Sequence, residues 1–171
     1  GYTAQGIIND DAWIEGATWY QNLFKDGIAL QGFTADDTGS FFQAGKIVFL
    51  IGGTWTDTNC KNEEMDTYGY APVPAFEGHE DQVGTPTGSW HFGIPVNAKN
   101  KDLAAEFIKY MSIGEGNELW LEANGDVPAT IAGADKIMND ENAEEYMKIA
   151  AYESSNTAVP RALTPGYTEY D

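Results

Sequence analysis

The chain has 171 residues, and its 27 acidic and nine basic residues give a formal net charge of −18. This charge disfavours nucleic acid and anionic membrane surfaces as partners, because both are bound through clusters of basic residues. The length allows one domain with a core and is marginal for two, and an apolar content of 42% indicates a globular chain.

Two amphipathic helices are predicted near the start of the chain. Asn9 or Asp10 caps the first helix and Gly27 ends it, whereas Thr34 caps the second and Gly45 ends it. One face of the first helix carries four apolar and aromatic residues at helical spacing, and we expect this face to lie in the core. These residues are Trp13, Ala17, Tyr20 and Phe24.

Three short segments rich in β-branched and aromatic residues predict buried strands. Their sequences are "KIVFLIGG" from Lys46, "YGYAPVP" from Tyr68 and "WHFGIPVNA" from Trp90. A short helix capped by Thr54 or Thr56 follows the first of them. Residues 75–89 lack periodic apolar positions and predict a long loop, which in a compact domain is often functional.

Four more helices are predicted before a tail that has turn signals and no periodicity. The first begins at Asn100 and the second is closed by Gly125, while the others cover residues near 131–138 and 141–153. Because helices alternate with short buried strands, the expected fold class is α/β.

The residue types of common catalytic and metal sites are scarce. Only two histidines are present, and the single cysteine, Cys60, has no second cysteine with which to form a zinc site or an internal disulfide. No glycine-rich nucleotide loop is present, and Ser89 lacks the flanking glycines of a nucleophile elbow. We therefore expect no metal, no cofactor and no catalytic residue.

Targeting signals are also missing from the sequence. No stretch approaches the roughly 18 apolar residues of a transmembrane helix. The chain begins at Gly1 without a charged and apolar leader, from which we expect a processed chain or a fragment. The lone cysteine is compatible with both the cytosol and an extracytoplasmic bacterial space.

Paired carboxylates leave open a second class of function, a domain of a glycan-degrading enzyme. Hydrolysis of a glycosidic bond needs two carboxyl groups that face each other across a cleft. In so acidic a chain, such pairs also arise by chance on a solvated surface. The pairs are Asp36 with Asp37, Glu63 with Glu64, Glu118 with Glu122 and Glu144 with Glu145.

Aromatic and polar residues beside flexible backbone indicate a site for a polyhydroxyl ligand. An aromatic ring stacks on the apolar face of a pyranose, and polar groups bind its hydroxyls. Plain core or turn aromatics, in a purely structural module, are the competing interpretation. The candidate residues are Trp55 after a Gly-Gly pair, then Gly88, Ser89, Trp90 and His91 in the long loop, and Arg161 and Tyr167 in the tail.

Several segments, in order, resemble the C-terminal part of a type 1 extracellular solute-binding protein. This maltose-binding-protein-like family contains the sugar-capturing components of bacterial ABC importers. The segments are "AWIEGATWYQNLFKDGI", "FFQAGKIVFLIGGTW", "YGYAPVPAFEG", "TPTGSWHFGIPVNAKNKDLAAEFIKYMSIGEGNELWLEANGDVPA" and "PRALTPGYTEY".

The resemblance implies roles for particular residues. Trp55 matches a tryptophan that stacks on sugar, and Gly88, Ser89 and Trp90 match a loop that touches sugar through backbone and side chain. Ser89 stands where the family often has a second glycine.

Two residues of the tail also match positions near the ligand. Arg161 matches an arginine near the ligand in several members, and Tyr167 matches an aromatic residue near the cleft. His91 and Asp126 are neighbours of the matched positions.

The resemblance also implies an architecture and a mode of action. The fold would be part of a two-lobe, periplasmic-binding-protein type II-like α/β fold with helices packed on short mixed sheets. Residues 1–88 would belong mainly to the second lobe, 89–130 to the first, and 131–171 would return to the second. The protein would capture an oligosaccharide without catalysis and deliver it to an ABC permease. It would do so outside the cytoplasm, either in the periplasm or as a lipoprotein anchored on the cell surface.

Family members are much longer than this chain, so the resemblance implies a truncated form. We expect such a chain to leave apolar surface unburied as an isolated monomer. A swapped dimer or a complementing N-terminal segment would cover that surface.

Overall fold

A computed structural model of the protein describes residues 9–88 and 90–160. This part of the chain contains seven helices and a short parallel sheet of two strands, a helix-rich arrangement consistent with the α/β class. It divides into two compact units, which we call the N-terminal unit (described residues 9–50) and the C-terminal unit (described residues 51–160). No helix in the described ranges is long and apolar enough to cross a membrane.

The N-terminal unit contains two helices whose starts agree with the sequence predictions. Helix α1 spans Asp11–Lys25, and the carboxylate of Asp10 accepts a hydrogen bond of 2.9 Å from the backbone N–H of Trp13. Helix α2 spans Ala35–Gln43 and begins with a capping box. In it, the Asp37 side chain accepts from the Thr34 backbone N–H at 2.8 Å, and the Thr34 hydroxyl accepts from the Asp37 N–H at 3.3 Å.

A glycine in the left-handed conformation follows each of these helices, as predicted. Gly27 has φ 72° and Gly45 has φ 65°. Beyond Gly45, the N–H of Lys46 donates to the carbonyl of Phe41 at 2.8 Å, which satisfies a carbonyl that the last turn leaves unpaired. These local signals suffice to end the helices because glycine adopts positive φ at little steric cost.

The apolar face of α1 does not form a core, and this prediction is wrong. Helix α1 has no buried residue, and Tyr20 is 60% exposed. Its ring contacts that of Phe24, one turn away, at a centroid distance of 5.2 Å. No other helix packs extensively against α1 within the described residues of this unit. The apolar residues of this face have helical spacing, but no other described element of this unit covers them.

The C-terminal unit contains the remaining five helices and both strands of the described chain. They are α3 (Trp55–Asn62), β1 (Thr85–Thr87), α4 (Lys101–Ile113), α5 (Glu115–Asn124), α6 (Ile131–Asn139), α7 (Glu145–Asn156) and β2 (Ala158–Pro160). Helix α4 packs on α5, helix α6 packs on α7, and α7 contacts both strands. Strands β1 and β2 pair in parallel, with Thr85 opposite Ala158 and Thr87 opposite Pro160.

The three predicted strands are absent, which corrects the sequence analysis. Residues 46–53, 68–74 and 90–98 form no ladder, and Phe49 in the first segment is 90% exposed. A strand needs a neighbour to satisfy its backbone groups, and no other described segment pairs with these three. The strands that do form lie in the predicted loop and the predicted tail.

The helices of the C-terminal unit follow their predictions more closely. Asn100 is the N-cap residue of α4, and Gly125, with φ 68°, ends α5. Helix α7 begins at Glu145, four residues later than the predicted boundary near 141.

The buried interior of the described chain is small. Its buried apolar residues are Cys60, Ala134, Tyr146 and Ala151, and Asp57 is buried among them as a charged residue. Many large apolar side chains remain exposed on both units. This exposure agrees with the expectation that the chain leaves apolar surface uncovered.

Two glycines of the α2 region should respond in opposite ways to alanine. Gly45→Ala should lower the free energy of unfolding by about 1 kcal/mol, because alanine is strained at positive φ. Gly39→Ala should raise it by about 0.5–1 kcal/mol, because Gly39 is inside the helix and its added Cβ meets no atom within 4 Å. Urea unfolding followed by circular dichroism measures both. Equal stability of the two variants would contradict this account of the helix end.

Candidate ligand-binding site

The indole of Trp55 lies against the backbone of Gly53 at the start of α3. Trp55 is the first residue of the helix and is 61% exposed. A Cβ atom on Gly53 would lie 2.2 Å from the benzo ring of the indole, so only glycine allows this approach. The benzo ring therefore packs close to the chain at Gly53, while much of the Trp55 surface stays exposed.

Thr54 connects the start of α3 to the loop after α5. Its hydroxyl donates a hydrogen bond of 3.0 Å to Oδ1 of Asp126, a half-buried residue that directly follows the end of α5. Thr54 holds the N-cap position of α3, but its side chain makes no capping hydrogen bond. A carboxylate is thereby held beside the residue that precedes Trp55.

The predicted loop residues lie after β1. Thr87, the last residue of β1, donates its hydroxyl to the carbonyl of Val159 at 3.2 Å, which fixes the base of the loop. Gly88 follows, and Trp90 is 98% exposed. In residues 9–88 and 90–160, no ring contact or hydrogen bond joins Trp55 to Trp90. Both tryptophans thus have exposed rings that do not contact each other.

Three of the predicted site residues lie outside the described residues. They are Ser89, Arg161 and Tyr167. Their assignment to the ligand site stays a prediction.

The sequence analysis missed a polar network around Asp57, two residues after Trp55 in the same helix. Asp57 is 4% exposed and accepts hydrogen bonds from the phenols of Tyr68 at 2.9 Å and Tyr70 at 3.4 Å. The ammonium of Lys61 lies 2.8 Å from Asp57 and 2.9 Å from Glu144. The spacing of Asp57 and Lys61, four apart on a helix, was the one signal in the sequence.

This network connects α3 to two other parts of the C-terminal unit. Tyr68 and Tyr70 belong to the segment after α3, and Glu144 precedes α7. The rings of Tyr70 and Tyr146 lie 5.3 Å apart between centroids. An open cleft of about 330 Å³ lies among these groups, lined by the network and by acidic and aromatic side chains.

The environment keeps the tyrosines of the network neutral and the lysine charged. Partial burial, followed by the hydrogen bond to Asp57, raises the pKa of Tyr68 to about 12. Burial likewise raises the pKa of Tyr70, and the hydrogen bonds to Asp57 and Glu144 raise that of Lys61. Neutral phenols can donate hydrogen bonds to the Asp57 carboxylate, as Tyr68 and Tyr70 do here.

Alkaline pH should weaken the fold through Tyr68. A folded-state pKa of about 12, above the ordinary value of 10.0, contributes stability that is complete below pH 10 and is lost as the pH rises to 12. Urea unfolding at several pH values in this window should show a steeper loss of stability for the wild type than for Tyr68→Phe. Tyr152→Phe, at an exposed tyrosine, is the control and should follow the wild type. Identical pH profiles for the wild type and Tyr68→Phe would contradict the expectation.

The comparison with known proteins identifies the family. Residues 1–151 match the family described as bacterial extracellular solute-binding protein. The maltodextrin-binding protein MdxE of Bacillus subtilis (strain 168) is 25% identical over 151 residues, which are 88% of this chain and 35% of that protein. The chain therefore spans about a third of the length of this relative. Because the family match covers most of its residues, the chain belongs to the bacterial extracellular solute-binding protein family.

Proposed function

We propose that the chain contributes the carbohydrate-binding surface of an oligosaccharide-capturing component of a bacterial ABC importer. The observation that carries this proposal is the exposed indole of Trp55, supported by Gly53 at the start of α3. The family match and the similarity to a maltodextrin-binding protein support a sugar as the solute.

An open indole suits one face of a sugar ring. The C–H face of a pyranose is apolar, and burying it on an aromatic ring removes apolar surface from water. Gly53 has no side chain that would displace the indole from this position. Trp55 would provide the stacking surface.

The other predicted site residues complete the proposed site. Gly88, Ser89 and Trp90 would touch the ligand from the loop after β1. Arg161 and Tyr167 would add a guanidinium and a phenol from the tail, and both groups can donate to sugar hydroxyls.

The mode of action would be capture between two lobes outside the cytoplasm. Residues 1–88 and 131–171 would belong mainly to one lobe and 89–130 to the other, and closure around the ligand would precede docking on a membrane permease. The family description supports the extracytoplasmic location. Neither the family nor the relative supports a swapped dimer.

Binding is favoured over the alternative of a glycan-degrading enzyme. The matching family consists of solute-binding proteins. Some of the paired carboxylates also have structural partners, since Asp37 closes the capping box of α2 and Glu144 pairs with Lys61.

The wild-type chain should bind maltotetraose with millimolar affinity, measured by NMR titration. If a complete site binds with micromolar affinity, worth about −8 kcal/mol, half of its contacts give about −4 kcal/mol, which is millimolar.

Trp55→Ala should weaken this binding of a maltodextrin at least about tenfold, a loss of about 1.4 kcal/mol, because the stacking surface is removed. Trp120→Ala, which removes another half-exposed indole from α5, is the control and should bind as the wild type.

Three outcomes would contradict parts of this proposal. Unchanged affinity of Trp55→Ala would remove the stacking role. Micromolar binding by the wild-type chain would refute the estimate that it holds half of the contacts. Hydrolysis of a chromogenic glycoside, lost on substitution of one glutamate, would favour the enzyme alternative.

A further inference from the structure

Thr54 differs from the other threonines at helix starts. Thr34 and Thr130 hold the N-cap positions of α2 and α6 with extended backbone, and each accepts a hydrogen bond from its own helix. Thr54 has helical backbone, φ −56° and ψ −32°, and makes no such bond. Its hydroxyl instead reaches Asp126. An N-cap hydrogen bond stabilises a helix, and the Thr54 hydroxyl makes none to α3. Its hydrogen bond orients the Asp126 carboxylate instead.

The backbone before Asp126 is held tightly as well. Gly125 has φ 68°, and a Cβ atom there would lie 2.5 Å from the hydroxyl of Tyr146, a buried residue of α7. The turn therefore requires glycine for its conformation and for its space. Asp126 is thus fixed from both sides, by Gly125 through the backbone and by Thr54 through the side chain.

The Asp126 carboxylate keeps unused capacity to accept hydrogen bonds. An ionised carboxylate has about four lone-pair positions on its two oxygens. Thr54 occupies one of them on Oδ1, and in the described part of the chain no group donates to Oδ2. Asp126 is only half-buried, and its carboxylate contacts Thr54, the residue directly before Trp55.

We propose that Asp126 binds hydroxyl groups at the edge of the sugar ring stacked on Trp55, and that Thr54 is its positioning residue. This inference rests on the proposed function and adds a polar, specificity-determining group to it. A pyranose that lies on an indole directs its hydroxyls outward from the ring edge, where a carboxylate accepts strong, charge-assisted hydrogen bonds. The same negative charge repels carboxylated sugars, so the ligand class is a neutral oligosaccharide.

Asp126→Asn tests the proposal with little change of shape. The amide oxygen of asparagine can still accept from Thr54, but the charge is lost and one acceptor becomes a donor. We expect maltotetraose to bind at least about tenfold more weakly, with an unchanged melting temperature. The preference for maltotetraose over a tetramer of galacturonic acid should shrink. Asp135→Asn, an equal change of charge at an exposed position of α6, should alter neither.

Substitutions of Thr54 test its positioning role. Thr54→Val keeps the shape of the side chain but removes the hydroxyl, and should weaken maltotetraose binding. Thr54→Ser keeps the hydroxyl and should bind maltotetraose as the wild type does. Combined with Asp126→Asn, Thr54→Val should add little further loss, because both act on one interaction.

The outcomes separate this inference from the function on which it rests. If Trp55→Ala weakens binding and Asp126→Asn does not, the sugar site stands and the role of Asp126 is wrong. A drop of melting temperature in Asp126→Asn that accounts for its weaker binding would make Asp126 structural and overturn the proposal. If the wild-type chain binds no neutral oligosaccharide at millimolar concentrations, the proposed function fails and this inference fails with it.

Discussion

The buried carboxylate of Asp57 is the constraint on which the C-terminal unit depends. Removing a charge from water is costly unless donors compensate it, and here two phenols and an ammonium do so. Those donors come from different parts of the chain, and Lys61 passes the connection on to Glu144 before α7. One charge therefore holds α3, the segment after it and the start of α7 in a single arrangement.

The candidate ligand site uses the rigidity that this network provides. Trp55 lies two residues before Asp57 in the same short helix, so the indole is positioned by a helix whose first turn is anchored by this network. Thr54 and Asp126 also connect the start of this helix to the loop after α5. Placing an aromatic surface on an anchored helix lowers the entropy that is lost when a ligand binds.

Local signals predicted the helices, and non-local pairing defeated the strand predictions. Thr34 and Gly45 mark the ends of α2 through contacts within a few residues, which a sequence displays directly. Strand β1 is a Thr-Pro-Thr segment that pairs with a partner more than 70 positions later, whereas the apolar segment 46–53 has no partner. The position of Trp55 at the start of a helix was predictable from the Gly-Gly pair and the threonines around it. The hydrogen bond between Thr54 and Asp126 was not predictable, since it joins positions 72 apart.

The parallel pairing of β1 and β2 also sets the order in which the site is completed. Strand β2 follows α7, so the base of the loop that carries Gly88 and Trp90 gains its hydrogen bonds only after nearly all of the C-terminal unit has left the ribosome. Closing so long a chain segment is entropically costly and slow compared with forming a helix. Helix α3 and Trp55 are complete in the chain long before β2 is synthesised, so the base of the loop after β1 forms later than the helix start.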